Sequence, residues 1–181
     1  MMKSIILAGF GGQGILFAGR QLALTGMYLN KNVTWMPSYG AESRGGTSNC
    51  TVIISDGEIG SPIVTSPDMA FIMNSPAYQK FVPKIAPGGI IIADSSMVKE
   101  EFAGKIERGD ISKYFIPATA LAYDNNMQMA ANVIMLGKLI KVTGLFTPGE
   151  LVDSMRKSIP ASRKELLEQN IKALDIGFTH E

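Results

Sequence analysis

One cysteine and one histidine occur among the 181 residues. The lone Cys50 excludes an intrachain disulfide framework. It equally excludes a self-contained iron–sulfur cluster, which needs several thiolates. His180 stands next to the last residue, so neither a histidine-based metal site nor a Ser-His-Asp triad has its members here. Charge is also scarce: 18% of residues are Asp, Glu, Lys or Arg, against about 25% in an ordinary globular chain. The 17 basic and 16 acidic residues nearly cancel, at +1, and the basic ones form no run. Strong attraction to nucleic acid or to an acidic membrane is thereby excluded. Long apolar runs are missing too. The opening MMKSIILAG is too short for a signal peptide or a membrane span, and glycines follow at once. The cytoplasm is the expected compartment.

What is present is apolar: 46% of residues are hydrophobic. With so little charge, either a partner covers part of the surface or the core is unusually well filled. The length suits one domain, 1–181, able to bury a substantial core.

The pattern along the chain alternates. Residues 4–8 (SIILA) read as a buried parallel strand. Residues 15–29 carry Ile15, Ala18, Leu22, Ala23 and Leu29 at helical spacing, and 33–36 form a second strand, giving a strand–helix–strand unit. Segment 38–48 (SYGAESRGGTS) reads as a loop, and 49–55 as a strand. Asp56-Gly57 is a hairpin signal, with 58–64 expected to return antiparallel. Strands at 70–73 and 90–93 flank a helix at 76–85, and 114–117 is a short edge strand. A buried helix is expected at 126–142, with Asn126 as its N-cap. Thr147-Pro148-Gly149-Glu150 has the composition of a capping box. Ser162 to Glu165 repeats that logic before a last helix ending near Gly177. The expected fold is α/β: a Rossmann-like three-layer arrangement with a mostly parallel sheet, one antiparallel hairpin and a helical C-terminal third.

Gly9, Gly11 and Gly14 match G-x-G-x-x-G between a strand and a helix. Glycines permit the tight turn, the approach of backbone to a ligand and close helix–strand packing. The helix N-terminus favours phosphate. The plain alternative is a tight turn with no ligand. A dinucleotide cofactor would require an acidic residue about 20 positions on, at the end of the second strand. That strand ends Val33-Thr34-Trp35-Met36-Pro37, and the nearest acid, Glu42, falls in the next loop. Simple NAD binding is disfavoured, and no G-K-[ST] ending makes this a P-loop.

The loop at 38–48 combines an aromatic ring, a carboxylate, a guanidinium and paired glycines. It is expected on the same sheet edge as the first loop. Arg44 beside Gly45-Gly46 suits a bidentate grip on phosphate, with Glu42 orienting Arg44; a surface ion pair on a glycine-rich turn is the bland reading.

Together, GFGGQGILFAGRQLA and SYGAESRGG resemble the gamma subunit of 2-oxoacid:ferredoxin oxidoreductases. Gly9, Gly11, Gly12, Gln13 and Gly14 match the first family motif. Tyr39, Gly40, Glu42, Arg44, Gly45 and Gly46 match the second. The similarity runs along the whole chain. It implies a complex that converts a 2-oxoacid and coenzyme A to acyl-CoA and carbon dioxide and reduces ferredoxin, 2-oxoglutarate being favoured. Pyruvate, 2-oxoisovalerate and indolepyruvate are the alternatives. It implies alpha and beta partners, and a delta subunit in some complexes, which hold the thiamine diphosphate, Mg and iron–sulfur clusters. No cofactor is then bound by this chain alone, and no catalytic or metal-binding residue is expected in it. Gly9, Gly11, Gly12, Gln13, Gly14, Tyr39, Glu42, Arg44, Gly45 and Gly46 are the candidate site. They face the phosphates of coenzyme A or the partner subunits.

Two other classes compete: an independent nucleotide-binding protein with a degenerate glycine loop, and a purely structural subunit. Asp94-Ser95-Ser96 follow a strand end, where open α/β sheets often place ligand groups; the more ordinary expectation is that they cap the next helix. Asn132 either reaches a ligand or pairs with a neighbour. Cys50 is expected to be buried. Trp35, Met36 and Tyr39 are candidate interface residues.

Overall fold

A computed structural model of the chain describes residues 1–39, 47–104 and 106–181. Six strands form one sheet in the order β2-β3-β1-β4-β5-β6. They are β1 (Met2–Phe10), β2 (Asn32–Tyr39), β3 (Thr47–Ser55), β4 (Met69–Ile72), β5 (Ile90–Asp94) and β6 (Ser112–Ile116). β1, β4, β5 and β6 run parallel, whereas β3 is antiparallel to both β1 and β2. The fold is the expected mostly parallel α/β sheet, and its hairpin is β2–β3. Residues 58–64 form no strand, which corrects the hairpin expected at Asp56-Gly57. β3 already has a partner on each edge and offers no free edge to a returning segment. Pro62 in that segment also lacks a ladder N–H. The Asp56 carboxylate instead binds Lys31 and the N-terminal ammonium. Together they hold its pKa down at about 2.

Side chains alternate across the sheet, as the period of two requires. Ile5, Leu7, Val52, Ile54, Phe71 and Ile92 face one core. That side is covered by α1 (Ile15–Tyr28), α4 (Ala118–Asp124), α5 (Ala131–Thr143), α6 (Pro148–Ser158) and α7 (Lys164–Thr179). Ile6, Ala8, Ala70, Ile72, Ile91 and Ala93 face the other, under α2 (Ser75–Phe81); the short α3 (Glu100–Ala103) lies beyond it in sequence. Burying one such aliphatic side chain contributes roughly 1.5–3 kcal/mol, which fixes the register. α1 settles closely on β2 and β3 because Gly19 and Gly26 face them. A Cβ on Gly19 would stand 2.4 Å from Cys50 Sγ, and one on Gly26 2.9 Å from Val33 Cγ2.

The helix starts divide. Thr147 accepts from Glu150 N while the Glu150 carboxylate accepts from Thr147 N, completing the expected capping box of α6. Asn126 is not the N-cap of α5. It takes φ of +54°, its N–H donates to Tyr123 O, and Met127 N donates to Ala122 O. This is a Schellman ending of α4, with Asn in the left-handed position. A 3₁₀ turn (Gln128–Ala130) then leads into α5, whose N-cap is Ala130. Ser162 does not cap α7 either. A 3₁₀ turn (Ala161–Arg163) occupies that stretch, and α7 begins at Lys164 without a side-chain cap.

Candidate functional site

From β1 the chain crosses through α1 to the β2–β3 side of the sheet. From β4 it crosses through α2 to β5 on the other side. A crevice at such a switch of direction, at the carboxyl ends of the strands, is where open α/β sheets bind ligands. The glycine loop and the Met73-Asn74 junction border it.

The loop is a tight turn in which Gln13 N donates to Phe10 O at 3.2 Å. Gly12 has φ of +95° and Gly14, the N-cap of α1, φ of +73°. Both lie in the region that favours glycine. Gln13 folds inward. Its Oε1 accepts from Phe10 N (2.6 Å) and from Asn74 Nδ2 (3.2 Å), and its Nε2 donates to Met73 O (3.0 Å). Gly9 makes room for this, since a Cβ there would stand 2.6 Å from Gln13 Oε1. At the other end Asn132 Nδ2 donates to Gly14 O at 3.0 Å, so Asn132 pairs with a neighbour. Its Oδ1 is buried without a described partner. A Cβ built on Gly11 or Gly12, by contrast, meets no described atom within 4 Å.

α1 has no side-chain cap and no acidic residue in its first turn, and the same holds for α5. A cleft of about 160 Å³ beside the loop is lined by Gly12, Gln13, Met73, Met97, Thr119 and Gln128, with Met129 and Ala131. None of these is a carboxylate. Asp94, at the adjoining strand end, is fully buried. Its Oδ1 accepts from Ser96 N, and its Oδ2 accepts from Thr119 N and Oγ1. Ser96 Oγ accepts from Ala120 N. The expected capping role is real but is directed to α4, not to the next helix in sequence.

The second loop is reached only through its ends. Tyr39 pairs with Ser48, Ser48 with Gly9, and Thr47 with Phe10. β2 runs in the same direction as β1, because two antiparallel steps separate them. Both ends of segment 40–46 therefore stand at the sheet edge that carries the glycine loop. Glu42, Arg44, Gly45 and Gly46 lie outside the described residues, as does the side chain of Tyr39. Trp35 and Met36 are exposed on the outer strand β2. Asn74, Met73, Thr119 and Gln128 were not among the sequence candidates. Asn74-Ser75-Pro76 does carry the signature of a helix start, but nothing in it points to a loop 61 residues earlier. Among the described residues no three His, Cys, Asp or Glu side chains cluster. No described helix is long and apolar enough to cross a membrane.

A mostly parallel sheet with a glycine loop at its switch point defines a Rossmann-like domain. The family model for pyruvate ferredoxin/flavodoxin oxidoreductase matches residues 4–180. The chain belongs to that family, as a gamma-type subunit of a 2-oxoacid:ferredoxin oxidoreductase. The subunit KorC of 2-oxoglutarate synthase from Methanocaldococcus jannaschii is 34% identical over 180 residues, covering 98% of this chain and 93% of that protein. Among solved structures, the keto/oxoacid ferredoxin oxidoreductase gamma subunit from Geobacter sulfurreducens PCA superposes with a TM-score of 0.78. It is 27% identical, and 97% of this chain and 96% of that one are covered. The 2-oxoglutarate:ferredoxin oxidoreductase from Magnetococcus marinus, with 2-oxoglutarate, coenzyme A and succinyl-CoA bound, shares the fold at a TM-score of 0.85 and 23% identity. The match covers 97% of this chain and 30% of that one. The chain thus spans about a third of the longer relatives it matches and nearly all of the shorter ones.

Proposed function

We propose that the glycine loop of this subunit contacts the phosphates of coenzyme A in a cytoplasmic complex that oxidises a 2-oxoacid, 2-oxoglutarate by preference, to acyl-CoA and reduces ferredoxin. Alpha and beta subunits supply the thiamine diphosphate, magnesium and iron–sulfur clusters. The observation that carries the reading is Gly11. Its φ is not positive and a side chain there has open space, so no described part of the chain calls for glycine. A phosphate approaching the loop would call for it. The uncapped start of α1 and the absence of a carboxylate among the described residues that line the cleft favour an anion there. Arg44, Gly45 and Gly46, in a segment whose ends stand beside Phe10, would add a guanidinium and further backbone donors. The likeness to KorC along both chains favours 2-oxoglutarate.

A second reading, in which the same edge packs against partner subunits, draws support from the exposed Trp35 and Met36. It also draws support from relatives in which this fold is part of a longer chain. Gly11→Ala and Arg44→Ala in the assembled complex separate the two. The first reading expects normal assembly, an unchanged KM for the 2-oxoacid and a KM for coenzyme A raised about tenfold, the worth of one charge-assisted hydrogen bond. Loss of assembly favours the second reading. Normal assembly with an unchanged KM for coenzyme A overturns the first.

A further inference from the structure

A loop of sequence Gly9 to Gly14 has few side chains with which to hold itself, and glycine loses more conformational freedom on ordering than any other residue. Its order must come from elsewhere. Gln13 is the one long polar side chain in the loop, and both its amide oxygen and its amide nitrogen are engaged inward. Its Oε1 uses both lone pairs, on Phe10 N and Asn74 Nδ2, and its Nε2 reaches Met73 O.

Asn74 is the other half of the clamp. It is 1% exposed. Its Oδ1 accepts from Ala77 N at 2.9 Å as the N-cap of α2. That bond commits the oxygen, so the amide nitrogen is the atom left to face Gln13. Gln13 is oriented by the same logic, because only its oxygen satisfies the Phe10 N–H and only its nitrogen the Met73 carbonyl. The network joins the loop on one side of the switch point to the end of β4 and the start of α2 on the other.

We propose that Asn74 is a positioning residue. Acting through Gln13, it holds the Phe10 to Gly14 backbone in the geometry that receives the phosphates of coenzyme A. This rests on the reading of the loop given above. Asn74 touches no ligand itself. It sets where the Gly11 and Gly12 amides stand.

Asn74→Ser tests this in the assembled complex. Serine keeps an N-cap for α2 but is too short to reach Gln13. Hydrogen exchange is followed at Phe10, whose N–H bonds to Gln13, and at Ala77, whose N–H bonds to the cap. The proposal expects faster exchange at Phe10 and retained protection at Ala77. It also expects a KM for coenzyme A raised about three- to tenfold, as for one lost hydrogen bond, with the KM for the 2-oxoacid unchanged. Adding Gln13→Met to Asn74→Ser should raise that KM no further than Gln13→Met alone, since both act in one network. Unchanged exchange at Phe10 overturns the positioning role, whatever the loop binds. Faster exchange at Phe10 with an unchanged KM for coenzyme A overturns the proposal by removing the ligand reading on which it rests.

Discussion

Gly137 on α5 and Gly177 on α7 meet where the two helices cross in backbone contact. A Cβ on Gly177 would stand 1.8 Å from Ile134 O, and one on Gly137 would stand 2.2 Å from Leu174 O. Neither obstacle is a flexible side chain, so a methyl at either position forces the helices apart. Gly137→Ala and Gly177→Ala should each destabilise the chain by about 1–3 kcal/mol or more, read from urea unfolding. Gly149 on α6 has open space around it, and Gly149→Ala should be neutral or stabilising by up to about 1 kcal/mol. Equal midpoints for all three variants would contradict the close crossing.

Asp94 ties the end of β5 to the start of α4 through Thr119 N and Oγ1. Asp94→Ala leaves those part-buried donors and Ser96 N without their acceptor, at a cost of roughly 1–3 kcal/mol. Thr119→Val removes only one bond and should cost about 1 kcal/mol. An Asp94→Ala chain that unfolds at the same urea concentration as the parent would refute the cap.

Cys50 is fully buried under α1, with its thiol 3.7 Å from Ile15 O. Burial pushes its pKa up to about 11, while hydrogen bonding with Trp35 pulls slightly the other way. At pH 8 the thiolate is scarce and shielded. A thiol reagent should label the urea-unfolded chain readily and leave the native chain unmodified over the same time. Equal rates would show that the α1–β3 contact opens.

Lys138 is 7% exposed on α5, and it shares the carbonyl of His180 with Lys141. Burial, then the Lys141 charge, lowers its pKa. A base with a lowered folded pKa costs stability fully below that pKa. The cost fades as pH rises towards the ordinary lysine value of about 10.4. Lys138→Met keeps the apolar stem and removes the ammonium, and Lys141 still serves the carbonyl. The variant should melt higher at pH 7, with the gain shrinking as the pH rises towards about 10.4. A lower melting temperature at pH 7 would mean that the bond to His180 outweighs the desolvation.

Much of the fold was legible because its signals are local. The apolar run at 4–8 lies within β1, the helical spacing from Ile15 matches α1, and Thr147 with Glu150 forms the capping box. The signals that misled were local too. Asp56-Gly57 is a sound turn, but the sheet had no free edge beside β3 for a returning strand. Asn126 is a sound cap residue, but it serves the end of α4 and not the start of α5.

The sequence by itself determined that this chain is an α/β domain with a glycine loop between its first strand and helix. It also determined the motif pair that marks its family, because residue spacing sets strand, turn and helix. Only the tertiary structure decided that β3 lies between β1 and β2, and that no described atom crowds the outer turn at Gly11 and Gly12. It alone showed that Gln13 points inward to Asn74 and that Asp94 caps a helix 24 residues on. Those relations join residues far apart in the chain, and they are set by which strand edges and polar groups remain unpaired once the core has packed.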